Sequence, residues 1–329
     1  MAPPPDASPA RYTHVTLRTY RDTLAEEVRR GLTATPKSLP CKYFYDEEGL
    51  ALFDQICTLP EYYLTRTETS ILQRHGPEIV GRCPVPLVMA ELGSGSSVKT
   101  RLLIEPCLAR QPELVYYPID ILASALEGSA GRLLAAYPGL RVIGLEGEFA
   151  DGLHYLGAQP GPPRLVAFLG STVGNFTEEE NDRFFAMLRR ELRPEDGFLL
   201  GVDLLKDPAI LRAAYDDSRG VTARFNFNIL ARINRALDAD FDLAAFGHRA
   251  VFDAAHSRVE MHLVSRRRQT VTLGKLGLAV AFGAGETIRT ENCYKHSRQA
   301  VRDLLNRHGF GVRQVYTDPD GWFGLFLVS

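Results

Sequence analysis

A parallel α/β sheet covered by helices on both faces is predicted for most of this chain, on three observations. Short apolar runs recur near 87–92, 115–120, 140–145, 164–170 and 197–203, with helix-like segments between them. Strand–helix alternation at this spacing belongs to parallel sheets. The run Leu165-Val166-Ala167-Phe168-Leu169 is continuously apolar, as expected of a strand buried on both sides. The run at 88–92 ends in an acid and a Gly-rich turn, Glu91-Leu92-Gly93-Ser94-Gly95-Ser96-Ser97, and the helix-forming stretch Val98–Leu103 follows.

Taken in order, residues 1–17 are expected to form a disordered N-terminus, beginning Met1-Ala2-Pro3-Pro4-Pro5. Thr23 to Leu32 has helical periodicity, and an aromatic segment, Lys42-Tyr43-Phe44-Tyr45-Asp46, comes after it. Thr177-Glu178-Glu179-Glu180 has capping-box spacing and the negative charge that favours a helix start. From 206 to 295 the texture changes. Helical stretches from Pro208 and through Phe225–Leu237 give way to alternating segments, Val259–Val264 and Thr270–Leu273, that read as antiparallel strands. Arg266-Arg267-Arg268 reads as the solvated end of a hairpin. Ser297 to His308 is an amphipathic helix stopped by Gly309, and two last strands, Val312–Tyr316 and Trp322–Val328, flank a turn at Thr317–Gly321.

Composition narrows the function. The chain has 329 residues, 45% hydrophobic and 24% charged, with a net charge of −2, so no broad basic surface for nucleic acid is expected. Five cysteines without a C-x-x-C pair or metal-ligand spacing suit a reducing compartment. No signal-peptide pattern opens the chain and no run approaches a membrane span. A cytoplasmic monomer with a small-molecule substrate is the expectation.

The Gly turn has the form E-x-G-x-G. It lacks the spacing of dinucleotide binders and the lysine of nucleotide-triphosphate loops. Tyr116-Tyr117-Pro118-Ile119-Asp120 then reads as a second strand whose carboxylate, at an exposed strand end, suits the two hydroxyls of a ribose. Glycine turn plus ribose acid is the pattern of S-adenosylmethionine (SAM) methyltransferases, and the fold expected is a Rossmann-like class I SAM methyltransferase domain. Ligands in such sheets bind beyond the carboxyl ends of the strands. The next ends carry Glu148-Phe149, an acid for the adenine amino group beside a ring, and Gly170-Ser171-Thr172-Val173-Gly174-Asn175, where a methyl acceptor sits. Methyl transfer from a sulfonium needs an oriented nucleophile and exclusion of water rather than an activated Ser or Cys.

Several segments together resemble a known family. They are Thr35-Pro36-Lys37-Ser38-Leu39-Pro40, Lys42-Tyr43-Phe44-Tyr45-Asp46, Leu59-Pro60-Glu61-Tyr62-Tyr63, Glu91–Gly95, Leu169–Asn175, Tyr215-Asp216-Asp217 with Gly220-Val221-Thr222, and Ile288-Arg289-Thr290-Glu291. In order and spacing they resemble the L-histidine Nα-methyltransferases of ergothioneine biosynthesis, from about residue 18 to the end. The resemblance implies trimethylation of the α-amino group of L-histidine to hercynine with three SAM and no metal. It also implies a SAM domain (67–205 and 296–329) and a second, α+β substrate-binding domain (18–66 and 206–295).

Carried over by position, Gly93, Lys99, Asp120, Glu148 and Phe149 would bind SAM. Tyr62, Asn175 and Tyr215 would hold the backbone end of the amino acid, Asn175 and Tyr215 on its carboxylate. Glu291 and Cys293 would hold the imidazole with Tyr45 close by, Met261 would wall its pocket, and Tyr45 and Asn175 would be the catalytic residues. Two positions depart from the family pattern: Glu148 stands for an aspartate and Cys293 for a serine. A thiol is a weak hydrogen-bonding group, which bears on substrate choice. The alternatives are an N-methyltransferase of another aromatic amino acid, such as tryptophan or tyrosine, and a non-catalytic SAM-binding protein.

Overall fold

The computed structural model describes residues 11–17 and 23–329. Fourteen strands lie among the described residues, starting with β1 (Tyr12–Thr16), β2 (Lys37–Ser38), β3 (Val88–Leu92), β4 (Leu114–Asp120) and β5 (Leu140–Glu146). They continue with β6 (Arg164–Phe168), β7 (Gly197–Asp203), β8 (Phe246–Asp253), β9 (Arg258–Ser265) and β10 (Gln269–Leu273). The last are β11 (Leu278–Phe282), β12 (Thr287–Tyr294), β13 (Val312–Thr317) and β14 (Phe323–Val328). The helices are α1 (Leu24–Thr33), α2 (Glu47–Ile56), α3 (Tyr63–Gly81), α4 (Arg101–Leu108) and α5 (Ala123–Ala136). They are followed by α6 (Phe149–Ala158), α7 (Glu178–Glu191), α8 (Pro208–Ala213), α9 (Val221–Leu237) and α10 (Arg298–Arg307).

Eight strands form the main sheet in the order β1-β5-β4-β3-β6-β7-β14-β13, parallel except at β14 and β13. This is the Rossmann-like arrangement expected. Strand order reverses between β3 and β6, which opens a crevice at their carboxyl ends. All five residues of β6 and all seven of β7 are buried, because helices cover both faces. Two core clusters flank the sheet, one around Leu72, Met89 and Tyr116, the other around Leu92, Phe168 and Phe198. A third cluster draws on residues 28–64 and 211–293. It packs α2 and α9 against a four-stranded sheet, β2-β12-β9-β8, beside the hairpin β10-β11.

Local signals account for the element ends. Thr177 and Glu180 form a reciprocal capping box at α7, and Thr23 and Glu26 form another at α1. Asp217 accepts from Thr222 N at 2.7 Å and Val221 N at 3.0 Å, so it caps α9 from a distance while Gly220 turns the chain at φ +66°. That gives Asp217-x-x-Gly220-Val221-Thr222 a structural role. Arg266, Arg267 and Arg268 are exposed between β9 and β10, as the sequence suggests, but these strands lie in different sheets, so the run links two sheets and does not end a hairpin.

Two boundaries differ from expectation. Residues 12–16 are not disordered but form an edge strand, β1, in register with Val142–Glu146 of β5; residues 1–10 and 18–22 lie outside the described residues. The alternation of Tyr12-Thr13-His14-Val15-Thr16 was masked by the Pro-rich segment before it. Helix α3 also runs through the expected division at 66/67. Its first residue, Tyr63, reaches Asp203 at the end of β7, whereas Leu64 belongs to the third core cluster.

Candidate active site

On the cofactor side, β3 delivers the turn into the crevice. Gly93 and Gly95 have φ of +68° and +48°, a region that glycine occupies without strain. A side chain on Gly95 would meet nothing within 4 Å, and one on Gly93 would lie 3.4 Å from the Phe149 ring edge. Phe149 thus stands over the turn, backed edge-on by Phe168 at 5.2 Å. Ser94 Oγ is buried without a partner, the kind of orphaned group that a ligand's polar atom completes. These features fit a nucleoside sulfonium such as SAM. Glu91 does not face the crevice. Thr100 and Tyr116 hydrogen-bond its carboxylate, and burial pushes it up to about 7 against those two bonds.

Asp120 is half-buried rather than exposed, because each of its oxygens is needed by the turn. Oδ2 accepts from Gly95 N at 2.9 Å and Oδ1 from Leu122 N at 3.1 Å. Each oxygen keeps a lone pair for a ribose hydroxyl. Burial raises its pKa, against the Gly95, Leu122 and Ile121 N–H groups, which lower it. Half-buried Lys99 pairs with the buried Glu68 of α3, whose oxygens also accept from Gly170 N at 2.9 and 3.0 Å. Glu148 precedes α6 without a side-chain capping bond and accepts from Lys42 at 3.0 Å, and Lys42 also reaches Glu27 at 2.9 Å. Lys99 and Glu148 therefore tie the turn to neighbouring segments as well as bordering the crevice.

On the acceptor side, the 3-10 turn Thr172–Asn175 is pressed onto β12. A Cβ at Gly174 would fall 2.9 Å from Tyr294 O and 3.5 Å from Cys293 Sγ. Asn175, with its amide oriented to satisfy the network, donates to Glu291 Oε1 at 3.3 Å and to Asn292 O at 3.1 Å. Glu291 stands opposite Met261 across β12 and β9. Burial pushes its carboxyl up to about 7, only partly offset by the Lys295 charge. Tyr62 meets Tyr215 edge-on at 6.4 Å, and Tyr45 packs on Phe53 and Phe225 at 5.6 and 5.5 Å. Burial drives the Tyr45, Tyr62 and Tyr215 phenols well above their ordinary range, so all three stay protonated. Both Glu291 and Asp120 add to the shift at Tyr45. The structure brings Tyr45, Tyr62, Asn175, Tyr215, Met261, Glu291 and Cys293 to one region beside the turn.

Sequence reasoning missed a buried charge cluster behind that region. Asp203, at the carboxyl end of β7, accepts from Lys295 at 2.8 Å, Lys206 at 2.5 Å and Tyr63 Oη at 2.7 Å. The strand-end reading stopped at β6, and continuing it to β7 would have found Asp203. No spacing signal marks Lys295, although it lies two residues beyond Cys293. Among the described residues, no group of three or more His, Cys, Asp or Glu is placed to hold a metal ion.

Comparison with known proteins decides the family. The sequence profile described as "Histidine-specific methyltransferase, SAM-dependent" matches residues 24–329. The chain belongs to this SAM-dependent, histidine-specific methyltransferase family. It is 45% identical over 313 residues to a histidine N-alpha-methyltransferase of Mycolicibacterium smegmatis, covering 93% of this chain and 95% of that protein. Ergothioneine biosynthesis protein 1 of Neurospora crassa is 30% identical over 300 residues, 89% of this chain and 33% of its own length. A 4-dimethylallyltryptophan N-methyltransferase of Claviceps purpurea is 30% identical over 317 residues, covering 90% and 92%.

Proposed function

We propose that this chain methylates the α-amino nitrogen of L-histidine three times, giving hercynine for ergothioneine biosynthesis. One observation carries the choice of histidine: Glu291 is a largely buried carboxylate whose one hydrogen-bonding neighbour among the described residues is the Asn175 amide. That one amide leaves the carboxylate room for a further donor, and an imidazole N–H pairs with it in a charge-assisted bond. The 45% identity with a histidine N-alpha-methyltransferase supports the same reading.

SAM held at the Gly93–Gly95 turn by Asp120, Phe149, Lys99 and Glu148 supplies the electrophilic methyl group. The chain's remaining task is to orient the acceptor nitrogen and exclude water. Asn175 and Tyr215 bind the carboxylate, Tyr62 and Tyr45 border the amine, Cys293 lies beside the imidazole, and Met261 limits the pocket behind it. The phenols keep their protons and act as neutral hydrogen-bonding groups, not bases. The amine must therefore arrive deprotonated or give its proton to water.

The test is to incubate the purified protein with SAM and L-histidine and locate the new methyl groups by mass spectrometry and NMR. Up to three on the α-nitrogen are expected. Methylation of a ring nitrogen, or none, would overturn the reading.

A further inference from the structure

Lys295 lies in a position that the substrate-contacting set does not explain. Its side chain is wholly buried, and its three N–H groups are fully used. They reach Asp203 Oδ2 at 2.8 Å, Tyr215 Oη at 2.9 Å and Cys293 Sγ at 2.9 Å. The ammonium also lies 4.8 Å from the Tyr215 ring centre. Burial works against its charge, but Asp203, Cys293 and Tyr63 outweigh it and keep Lys295 protonated.

Two consequences follow from that geometry. First, Asp203 carries one negative charge against two buried lysines, Lys206 and Lys295. Counted without the pocket carboxylate, the cluster has a surplus positive charge, and Lys295, on its pocket side, also acts on Glu291, which takes up a proton as pH falls through about 7. Second, Tyr215 Oη accepts from Lys295, so its own proton points elsewhere. In this structure the proton goes to Cys293 Sγ at 2.8 Å, a weak acceptor. A carboxylate oxygen is a far stronger one. Position is held from behind as well, since His248 Nε2 hydrogen-bonds the Tyr215 carbonyl at 2.9 Å.

We propose that Lys295 is the positioning residue that makes this site selective for a free α-carboxylate, by polarising the Tyr215 hydroxyl and supplying the buried positive charge behind it. The proposal rests on the reading of Tyr215 as a carboxylate ligand. The Tyr215 hydroxyl, which donates to Cys293 Sγ in this structure, swings to the carboxylate when an amino acid binds, and Lys295 keeps its bonds to Asp203 and the phenolic oxygen. Amino-acid amides and decarboxylated amines are rejected because they leave the surplus charge uncompensated, a discrimination that a pocket built for hydrogen bonding achieves well.

The test compares L-histidine with L-histidinamide in the wild type and in Lys295→Met, Tyr215→Phe and the double variant. Lys295→Met leaves Asp203 paired one-to-one with Lys206, so the fold should persist; circular dichroism and SAM affinity check it, and Lys295→Gln replaces it if it does not. The acid-over-amide preference in kcat/KM should shrink by about tenfold or more in Lys295→Met, chiefly through KM for L-histidine. Tyr215→Phe should shrink it similarly, and the double variant should lose little more than either. Equal losses on acid and amide, or losses that multiply in the double variant, would overturn the proposal. A wild type that ignores L-histidine would sink the substrate reading instead; the same ratio is then taken on the amino acid it does methylate and its amide. A wild type that methylates no amino acid would sink both.

Discussion

Glu291 and Ile288 face the same side of β12 although they are three positions apart, because Thr290 is bulged out between them. Ile288 pairs with Leu263 and Glu291 with Met261, two residues apart on β9, and the register shifts between Arg289 and Glu291. Thr290 Oγ1 pins the bulge by donating to Asn226 Oδ1 at 2.7 Å. Strict alternation would have put Glu291 on the face away from Met261. Bulges re-aim side chains in this way beside active sites.

The carboxyl so placed should report itself in pH dependence. Glu291 is raised to about 7 from 4.5, so it takes a proton as pH falls through 7 and becomes a weaker partner for the imidazole. KM for histidine should rise from pH 8 to pH 6 in the wild type. In Glu291→Gln it should be high throughout and flatter, which separates this effect from the substrate's own titration. A wild-type profile as flat as the variant's would remove Glu291 from the imidazole site.

The same shift has a cost in stability. Between pH 4.5 and 7 the folded state holds more protons at Glu291 than the unfolded chain does, so stability falls as pH rises across that window. Glu291→Gln should therefore raise Tm at pH 8, by roughly 1–3 °C for a chain of this size, and change it little at pH 4.5. Glu91, raised over the same range, stays in both proteins and cancels. A lower Tm for the variant at pH 8 would contradict the assignment.

Gly174→Ala should separate the acceptor turn from the cofactor turn. The new methyl would press on Tyr294 O at 2.9 Å, and Asn175, next in the chain, would move with the turn. Turnover should fall, by up to about 100-fold if the acceptor is displaced by about 1 Å. SAM affinity by calorimetry should stay near the wild-type value. A variant with full histidine turnover would show that the turn does not set the acceptor geometry.

Asp120→Ala should weaken SAM by about 1.5–3 kcal/mol through lost ribose hydrogen bonds. It also frees the Gly95 and Leu122 N–H groups, so the turn itself should loosen. Asp120→Asn keeps an acceptor and should lose less. Unaltered affinity in a folded Asp120→Ala protein would take this acid out of the site.

Cys293→Ser exchanges a weak partner for a strong one between Tyr215 and Lys295. KM for histidine should fall or stay constant. A clear rise would mean that the pocket is tuned to a different side chain.

Much of this was legible in the sequence, and the reasons differ from part to part. The strands of the main sheet and the Thr177 capping box follow from apolar runs and local spacing, which act within a few residues. The Gly93–Gly95 turn and Asp120 are legible because backbone conformation and strand ends constrain residue type. Glu68 is different: it sits inside α3 and meets Gly170 across 102 positions, so no local pattern announces it. Lys295 and Asp203 likewise find each other only in the folded chain. The orientation of Glu291 depends on one bulged residue, which an alternation of period two does not reveal. Among the described residues no helix is long and apolar enough to cross a membrane.

The most direct measurement is a competition. The protein is given SAM and an equimolar pool of the amino acids, and product masses are followed over time. The account predicts that L-histidine alone is consumed first and ends as its Nα-trimethyl form. Untouched histidine beside methylated tryptophan or tyrosine would contradict it.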